Sequence, residues 1–506
     1  MKAGDHWIRR KTMMKDKARE NWRLAGAEAV MAEQCRACGP NHAVAAAAPL
    51  AALIGSEMLR KGGNAYDAAV AAALAETVLL PPKCGLAGDL VALAWKKDEE
   101  CPEALLAIGG AAKGLAEVAR RGELQRTGPT SVGVPAAHAG YLALANRGRL
   151  SLEELAAPAI DLARKGFSWS RICSALAHDS KDLVSRYNPH GTRYYPGGHE
   201  IEPETVTKLP GLALVLEALV HDGDNFLDGE VGKAILDCVR LHGGVLTEED
   251  FAFSKAEWAP VQLGKVGNNK LFVTPAPTHG ASLLKAVTEL TEDTPHAATA
   301  VYSGVMEAVK WHRHELADPS GTSMVSAVDD EGTMVTIVHS NSYPQFGSGL
   351  IVGKYDLILG NRAGRGYTDD PAHPNFPLPG RRPMTTLHAW ATNLGGDVRL
   401  QGATPGGANQ MPWNAQTLAR LVTGQRHTGH LVAAPRWEWV PEDDSIIMEE
   451  GFSTDEAAQL HSLGIGIKEV GLWATSSAMQ IISLDMKKNH VSAAADPRTV
   501  GGVQAF

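Results

Sequence analysis

Apolar positions between residues 53 and 80 fall into two helical runs, LIGSEMLRK and AYDAAVAAALAETVLL, parted by Gly62-Gly63. Asn64 with Asp67 three residues on predicts a capping box for the second run, Asp taking the Glu/Gln role. Alanines 68, 69, 71, 72 and 73 permit close helix packing. PPKCGLAGDLVALAW (81–95) then reads as a Pro/Gly loop and a short apolar strand. Residues 115–260 read as mostly helical, with amphipathic candidates at 150–167, 209–223 and 229–244. Strand-like runs gather later, at 270–277, 322–329, 333–340, 387–395 and 480–486. The runs on either side of DDEG alternate apolar and polar positions, which predicts a hairpin. Helix-rich and strand-rich stretches in this order predict a layered α/β sandwich rather than a parallel nucleotide-binding array.

Composition adds mainly exclusions. The chain has 506 residues, 44% hydrophobic, with 52 Gly and 28 Pro, enough for a large loop-rich catalytic unit. A net charge of -9 argues against a general nucleic-acid or anionic-membrane surface. The polar, basic first 22 residues have no apolar core of a signal peptide, and AVAAAAPLAALIG (43–55) is too short to span a bilayer. Six cysteines are too few for a disulfide scaffold, so the expected setting is cytoplasmic. CRAC (35–38) has no second pair at zinc-finger spacing, and no metal is expected. In WHRHE (311–315), His312 and His314 stand two apart on an expected helix and read as exposed surface. No GxGxxG or Walker pattern is present.

Candidate chemistry begins at Gly321-Thr322. A threonine hydroxyl needs a base to take its proton. Inside a chain Thr322 has only an amide nitrogen. Were the Gly321–Thr322 bond cut, Thr322 would carry a free α-amine with a pKa near ~8 beside its own Oγ1. Gly-Thr at a strand start is also an ordinary turn. TPGGANQ (404–410) could present successive amides as an oxyanion hole, or be a plain turn as well.

Taken together, these blocks resemble the γ-glutamyltransferase family of N-terminal nucleophile hydrolases. GSEMLRKGGNAYDAAVAAALAETVLLPP looks like the family's opening block, FLDGEVGKAILDCVRLHGGVLTEEDF (226–251) its mid-chain helix and turn, and VTPAPTHGASLL (273–284) its Pro-Pro-x-x-Gly-Gly strand end. GTSMVSAVDDEGTMVTIVHS resembles the processing site Thr-Thr-His-x-Ser-Val-x-Asp, with Thr322, Ser326 and Asp329 on Thr, Ser and Asp. QFGSG, GRRPMTT, TPGGANQ, APRWEW and ADPRTVGG follow in family order.

The resemblance implies a four-layer αββα sandwich made as one precursor. It implies a charged lead-in (1–42), a large subunit (43–321) and a small subunit (322–506), cut between Gly321 and Thr322. Thr322 would be the nucleophile, Gly406 and Gly407 the oxyanion glycines, and Ser340 the hydroxyl beside Thr322. The acyl-enzyme would pass to water or an amine, without a cofactor. The expected partners are a small acyl substrate and the two subunits themselves, with no nucleic acid or membrane; a homo-oligomer of that unit is allowed.

Departures from the family pattern fall on the substrate. Gly109 or Gly110 in LLAIGGAAKG stands where the family has an arginine for the glutamate α-carboxylate. NRAGRGY (361–367) replaces an Asp-Asp-Phe run that holds the α-amine, and Arg365 would attract an anion instead. Thr385 and Thr386 retain the family's paired hydroxyls in kind, and Asn341 or Ser342 takes another polar pocket position. The segment before Thr322 is short, and Met324 replaces a His. The expected activity is hydrolysis or transfer of an amide-like acyl group that is not γ-glutamyl. Two alternatives stand beside it: carbon–carbon cleavage of a dicarbonyl or oxalyl-type unit in alkylproline antibiotic biosynthesis, and an unprocessed scaffold.

Overall fold

The computed structural model describes residues 26–291, 298–312 and 322–506. Two seven-stranded sheets form its centre. One runs Gly502–Ala505, Ala43–Ala46, Ser323–Val328, Met334–Ser340, Asp89–Trp95, Glu103–Ala107, Ala256–Pro260. The other runs Arg36–Gly39, His490–Ala495, Gln480–Asp485, Val398–Ala403, Trp390–Leu394, Asn269–Val273, Gln262–Val266. Neighbouring strands in both sheets are antiparallel.

The layers follow from strand alternation, which sends successive side chains to opposite faces. In Ser323–Val328, Met324 and Val328 enter a core between the sheets with Phe272, Ala391, Ile482 and Ala493. Val325 and Ala327 face outward, into a core shared with helices Pro49–Arg60 and Ala65–Leu79. Helices Gly280–Val287, Ala298–His312 and Gln410–Val422 cover the other sheet. This is the αββα sandwich. Polar groups cross its middle: Ser326 Oγ lies 3.1 Å from Thr336 Oγ1, which donates to Gln401 Oε1 of the second sheet at 3.0 Å.

The capping box is present: Asn64 Oδ1 accepts from the Asp67 amide at 3.2 Å, and Asp67 Oδ2 from the Asn64 amide at 2.8 Å. All fifteen residues of the helix it starts are buried. Asp329 ties the hairpin to that helix, its Oδ2 accepting from the Ala65 amide at 2.9 Å. The predicted helices at 150–167, 209–223 and 229–244 form as Leu152–Lys165, Pro210–Asp222 and Glu230–Leu241.

Two expectations need correction. The fold begins upstream of residue 43, because Arg36–Gly39 pairs with Val491–Ala494. The strand Ala256–Pro260 ends the region read as helical. Alanine-rich Ala43–Ala46 and His490–Ala495 are strands. Alanine is a poor strand former by propensity, but these residues are stacked on both faces, where small side chains let the layers approach. None of the described helices is long and apolar enough to cross a membrane.

Candidate active site

Register sets the first contact. Ser323 pairs with His339, so Thr322, one residue before the strand, comes opposite Ser340. Thr322 Oγ1 donates to Ser340 Oγ at 3.3 Å, and the Ser342 amide donates to the same oxygen at 2.8 Å. Ser342 turns the chain with a φ of 71°, and both hydroxyl residues are buried. Asn341 is an anchor: its amide donates to Lys83 O at 2.9 Å and its Nδ2 to Pro81 O at 3.1 Å. The PPKCGLAGD loop is thereby held against the residues that follow Ser340.

Thr322 opens on a cavity of about 1210 Å³, lined also by Gly406, Arg365, Lys83, Arg126, His279 and His312. Gly406 has a φ of 128° and Gly407 a φ of 56°, a pair of left-handed residues suited to glycine. A Cβ on Gly406 would stand 2.1 Å from the Trp413 ring. The Gly406 and Gly407 amides are not used in the loop and helix hydrogen bonds of this segment. Asn409 fixes the loop to the strand Trp437–Val440, accepting from the Trp439 amide at 2.8 Å and donating to Trp439 O at 2.9 Å.

Other expected residues lie off the cavity wall. Thr385 Oγ1 accepts from the Leu387 amide at 3.2 Å, and its own amide donates to Pro277 O at 2.9 Å. Gln410, with its amide nitrogen toward the carbonyls, donates to Thr386 O at 3.0 Å and Thr404 O at 3.3 Å, so Thr386 supports the Gly406 loop. Gly109 packs where a Cβ would meet Val134 O at 1.9 Å, and at Gly110 it would meet Gly380 O at 2.6 Å. Neither position has room for an arginine. The Gly109 amide instead donates to Asp89, which is buried and paired with Arg362 at 2.7 Å. Gly321 and His314 lie outside the described residues.

Sequence reasoning missed several cavity residues. His312 was expected on an exposed surface, but it is buried and its ring centroid lies 4.6 Å from that of His279. The helix turns this face inward because its other neighbours, Val305, Ala308 and Val309, are core. Among the described residues, both ring nitrogens of buried His279 lack a hydrogen-bond partner. Burial, then the neighbouring His312 and His388, holds its pKa well below the usual histidine value. Burial also pulls the Lys83 ammonium below its ordinary pKa, opposed by Cys173, Glu76 and Cys84 nearby.

Behind Thr322 stands a buried chain of polar groups. Ser323 Oγ donates to Glu76 Oε2 at 2.6 Å, the same oxygen lies 2.9 Å from His339 Nε2, and His339 Nδ1 is 2.7 Å from the Tyr141 hydroxyl. Glu76 Oε1 accepts from the Ala47 amide at 2.6 Å. Cys84 completes a trio with Glu76 and His339 whose ligand-type atoms lie within 4.8 Å of one another. Burial raises the Cys84 thiol well above its usual pKa, which keeps it protonated, and both Glu76 oxygens are already hydrogen-bonded. A metal would need the thiolate.

Comparison with known proteins agrees with this layout. The sequence profile of Gamma-glutamyltranspeptidase matches residues 51–319 and 310–506. The Glutathione hydrolase-like YwrD proenzyme of Bacillus subtilis (strain 168) is 24% identical, covering 89% of this chain and 96% of its own. The Oxamate amidohydrolase proenzyme of Klebsiella pneumoniae is also 24% identical, over 89% of this chain and 95% of its own. The crystal structure of cephalosporin acylase from Bacillus halodurans superposes with a TM-score of 0.81 at 26% identity, covering 93% of this chain and 97% of that one. With its motifs in family order and its sheets in the N-terminal nucleophile arrangement, the chain is a member of the gamma-glutamyltranspeptidase family of hydrolases and acyltransferases.

Proposed function

We propose that the protein is a proenzyme that cuts itself before Thr322 and then uses Thr322 to hydrolyse or transfer an acyl group from an amide that is not γ-glutamyl. The observation that carries this is Thr322 Oγ1, 3.3 Å from Ser340 Oγ, on a cavity it shares with Gly406. After the cut, the Thr322 α-amine takes the Oγ1 proton as Oγ1 bonds to the acyl carbon. The carbonyl oxygen gains charge facing the Gly406 and Gly407 amides. The C–N bond then breaks, the proton goes to the leaving amine, and an ester to Thr322 remains. Water or an amine attacks that ester in the same way and restores the hydroxyl.

A substrate without the γ-glutamyl head fits the crowding at Gly109 and Gly110, and fits Arg365 in the cavity wall. The two relatives are proenzymes named for different amides, so the family scaffold serves more than one acyl group. The same attack on one carbonyl of a dicarbonyl compound would break a carbon–carbon bond, a second reading that the cationic Arg365 and Lys83 favour. All six cysteines are free, which suits a cytoplasmic setting. N-terminal sequencing of the purified protein tests the reading. Two fragments of 321 and 185 residues, the smaller starting Thr-Ser-Met-Val, are expected. A single uncut chain with full acyl turnover would sink it.

A further inference from the structure

We propose that Lys83 is the base of the self-cleavage step, its side-chain amine taking the Oγ1 proton of Thr322 before any free α-amine exists. This rests on the proposed self-cleavage and supplies a proton acceptor that the uncut Thr322 does not carry. Inside the chain its nitrogen is an amide, which cannot take that proton.

The loop that carries Lys83 is wrapped against the nucleophile. Ser340 pairs with Asp89 on one side and accepts from Thr322 Oγ1 at 3.3 Å on the other. Upstream of Asp89, Lys83 O accepts from the Asn341 amide at 2.9 Å, and Pro81 O accepts from Asn341 Nδ2 at 3.1 Å. A Cβ on Gly88 would stand 2.1 Å from Ser340 O, so this loop lies directly on the Ser340 backbone. Cys84 turns its thiol to Ser323 and Glu76, behind the nucleophile. Lys83, one residue before it, lines the cavity that Thr322 opens on. The two neighbours thus bracket the start of the hairpin, the thiol behind it and the amine in front.

Lys83 is only 7% exposed, and among the described residues its amine has no hydrogen-bond or ion-pair partner. The nearby carboxylate, Glu76, is engaged by Ala47, Ser323 and His339. Burial lowers the Lys83 pKa against the opposing pull of Cys173, Glu76 and Cys84, so more of the amine is free base near neutral pH. Of the other charged groups on the cavity, Arg126, Arg365 and Arg498 disfavour the ammonium, and Glu438, Glu442 and Asp444 favour it. An ordinary lysine, titrating near ~10.4, would hold its proton and could not serve. A desolvated one is a usable general base.

The step balances within the chain and one water. Lys83 takes the Oγ1 proton, directly or through a bridging water, as Oγ1 bonds to the Gly321 carbonyl carbon. The C–N bond of that adduct then breaks, and Lys83 returns the proton to the Thr322 nitrogen. The products are an ester between Gly321 and Thr322 Oγ1, a free α-amine, and an unchanged Lys83. Water cleaves the ester, leaving the Gly321 carboxylate and the Thr322 hydroxyl. From then on the α-amine of Thr322 itself is available as base.

Full-length chains made by cell-free synthesis, pulse-labelled and moved to buffers between pH 6 and pH 10, allow cutting to be followed by gel. Wild type should cut faster as pH rises and level off at an inflection below that of an ordinary lysine. Lys83→Arg keeps the charge and the bulk but stays protonated, and should cut about a hundredfold more slowly or worse. Lys83→Ala should be as slow, and added ethylamine should restore it in proportion to the free-base form of that amine. Such rescue also reports a folded chain that lacks only the amine. Either variant cutting at the wild-type rate overturns the proposal, as does a slow Lys83→Ala that ethylamine leaves unchanged. A wild-type chain that never cuts rejects the self-cleavage reading and this base with it. A wild type that cuts alongside equally fast variants keeps that reading and removes Lys83 alone.

Discussion

Ser323 Oγ lies 2.6 Å from Glu76 Oε2, one residue beyond the threonine that the cavity exposes. The contact joins the first residue of the hairpin to the last turn of the capped helix Ala65–Leu79, and it is fully buried at both ends. Glu76 also accepts from the Ala47 amide and meets His339, so one carboxylate holds three segments behind Thr322. Glu76→Ala leaves those groups facing an apolar void. A loss of about 3–5 kcal/mol in urea unfolding is expected, with self-cleavage slowed in parallel. Glu76→Gln, which keeps an acceptor for Ala47, should lose markedly less. Equal losses in the two variants would show that shape, not the carboxylate, matters there.

Thr322→Ala is expected to abolish both cleavage and acyl turnover, leaving one chain of 506 residues by intact mass. Ser340→Ala removes the acceptor that Thr322 Oγ1 and the Ser342 amide share. Losing that orientation should lower kcat about tenfold to a hundredfold, at little change in KM. Ser340→Thr keeps the oxygen and should recover most of the rate. Wild-type kcat in Ser340→Ala would remove Ser340 from the reading.

The arginine that the family carries at this point cannot be restored by substitution. Gly109→Arg begins with a Cβ that would sit 1.9 Å from the Val134 carbonyl oxygen. The backbone must move, so a loss of roughly 4 kcal/mol or more is expected, at the severe end for a single change. Soluble expression and thermal unfolding measure it. A stable Gly109→Arg protein that gained γ-glutamyl hydrolysis would refute both the packing argument and the assigned substrate class.

Much of the scaffold was legible because local signals and tertiary demand coincide. Asn64 and Asp67 announce a helix start, and the same helix needs one to meet Asp329. The hairpin around DDEG shows in its own alternation, although both its faces are buried in the sandwich. Lys83 was not legible. A lysine in a Pro/Gly loop reads as solvated, yet this loop is tied to Asn341 and Lys83 lines the cavity. His279 was hidden within VTPAPTHGASLL, a block read for its glycine and prolines. Spacing on one helix could not show His312 set against it, because the contact joins two segments. Gly109 was picked out as a missing arginine, yet its place is set by the Val134 backbone, which sequence spacing does not reveal.

Buried histidines give the fold a defined acid limit. His388 donates from Nδ1 to Thr386 O at 2.8 Å, and its Nε2 accepts from Asn414 Nδ2 at 2.8 Å, so the ring sits neutral under the Gly406 loop. Burial pushes the pKa of His388 down to about 4, and that of His138 down to about 4 as well. In the unfolded chain a histidine titrates near ~6.5. Between those values the unfolded state binds more protons, so stability falls as pH drops from about 6.5 toward 4 and levels off below. At pH 5 each ring should cost about 2 kcal/mol relative to neutral pH. His388→Gln can keep a donor toward Thr386 and an acceptor for Asn414 without titrating. Urea unfolding of both proteins at pH 7.5 and pH 5 should show a drop smaller by about 2 kcal/mol in His388→Gln, with His138 and His279 supplying what remains. Because Thr386 also accepts from Gln410 beside Thr404, the variant should retain turnover deeper into acid if loss of this loop is what ends activity. Parallel acid profiles for the two proteins would instead assign the limit to groups elsewhere, His138 first among them.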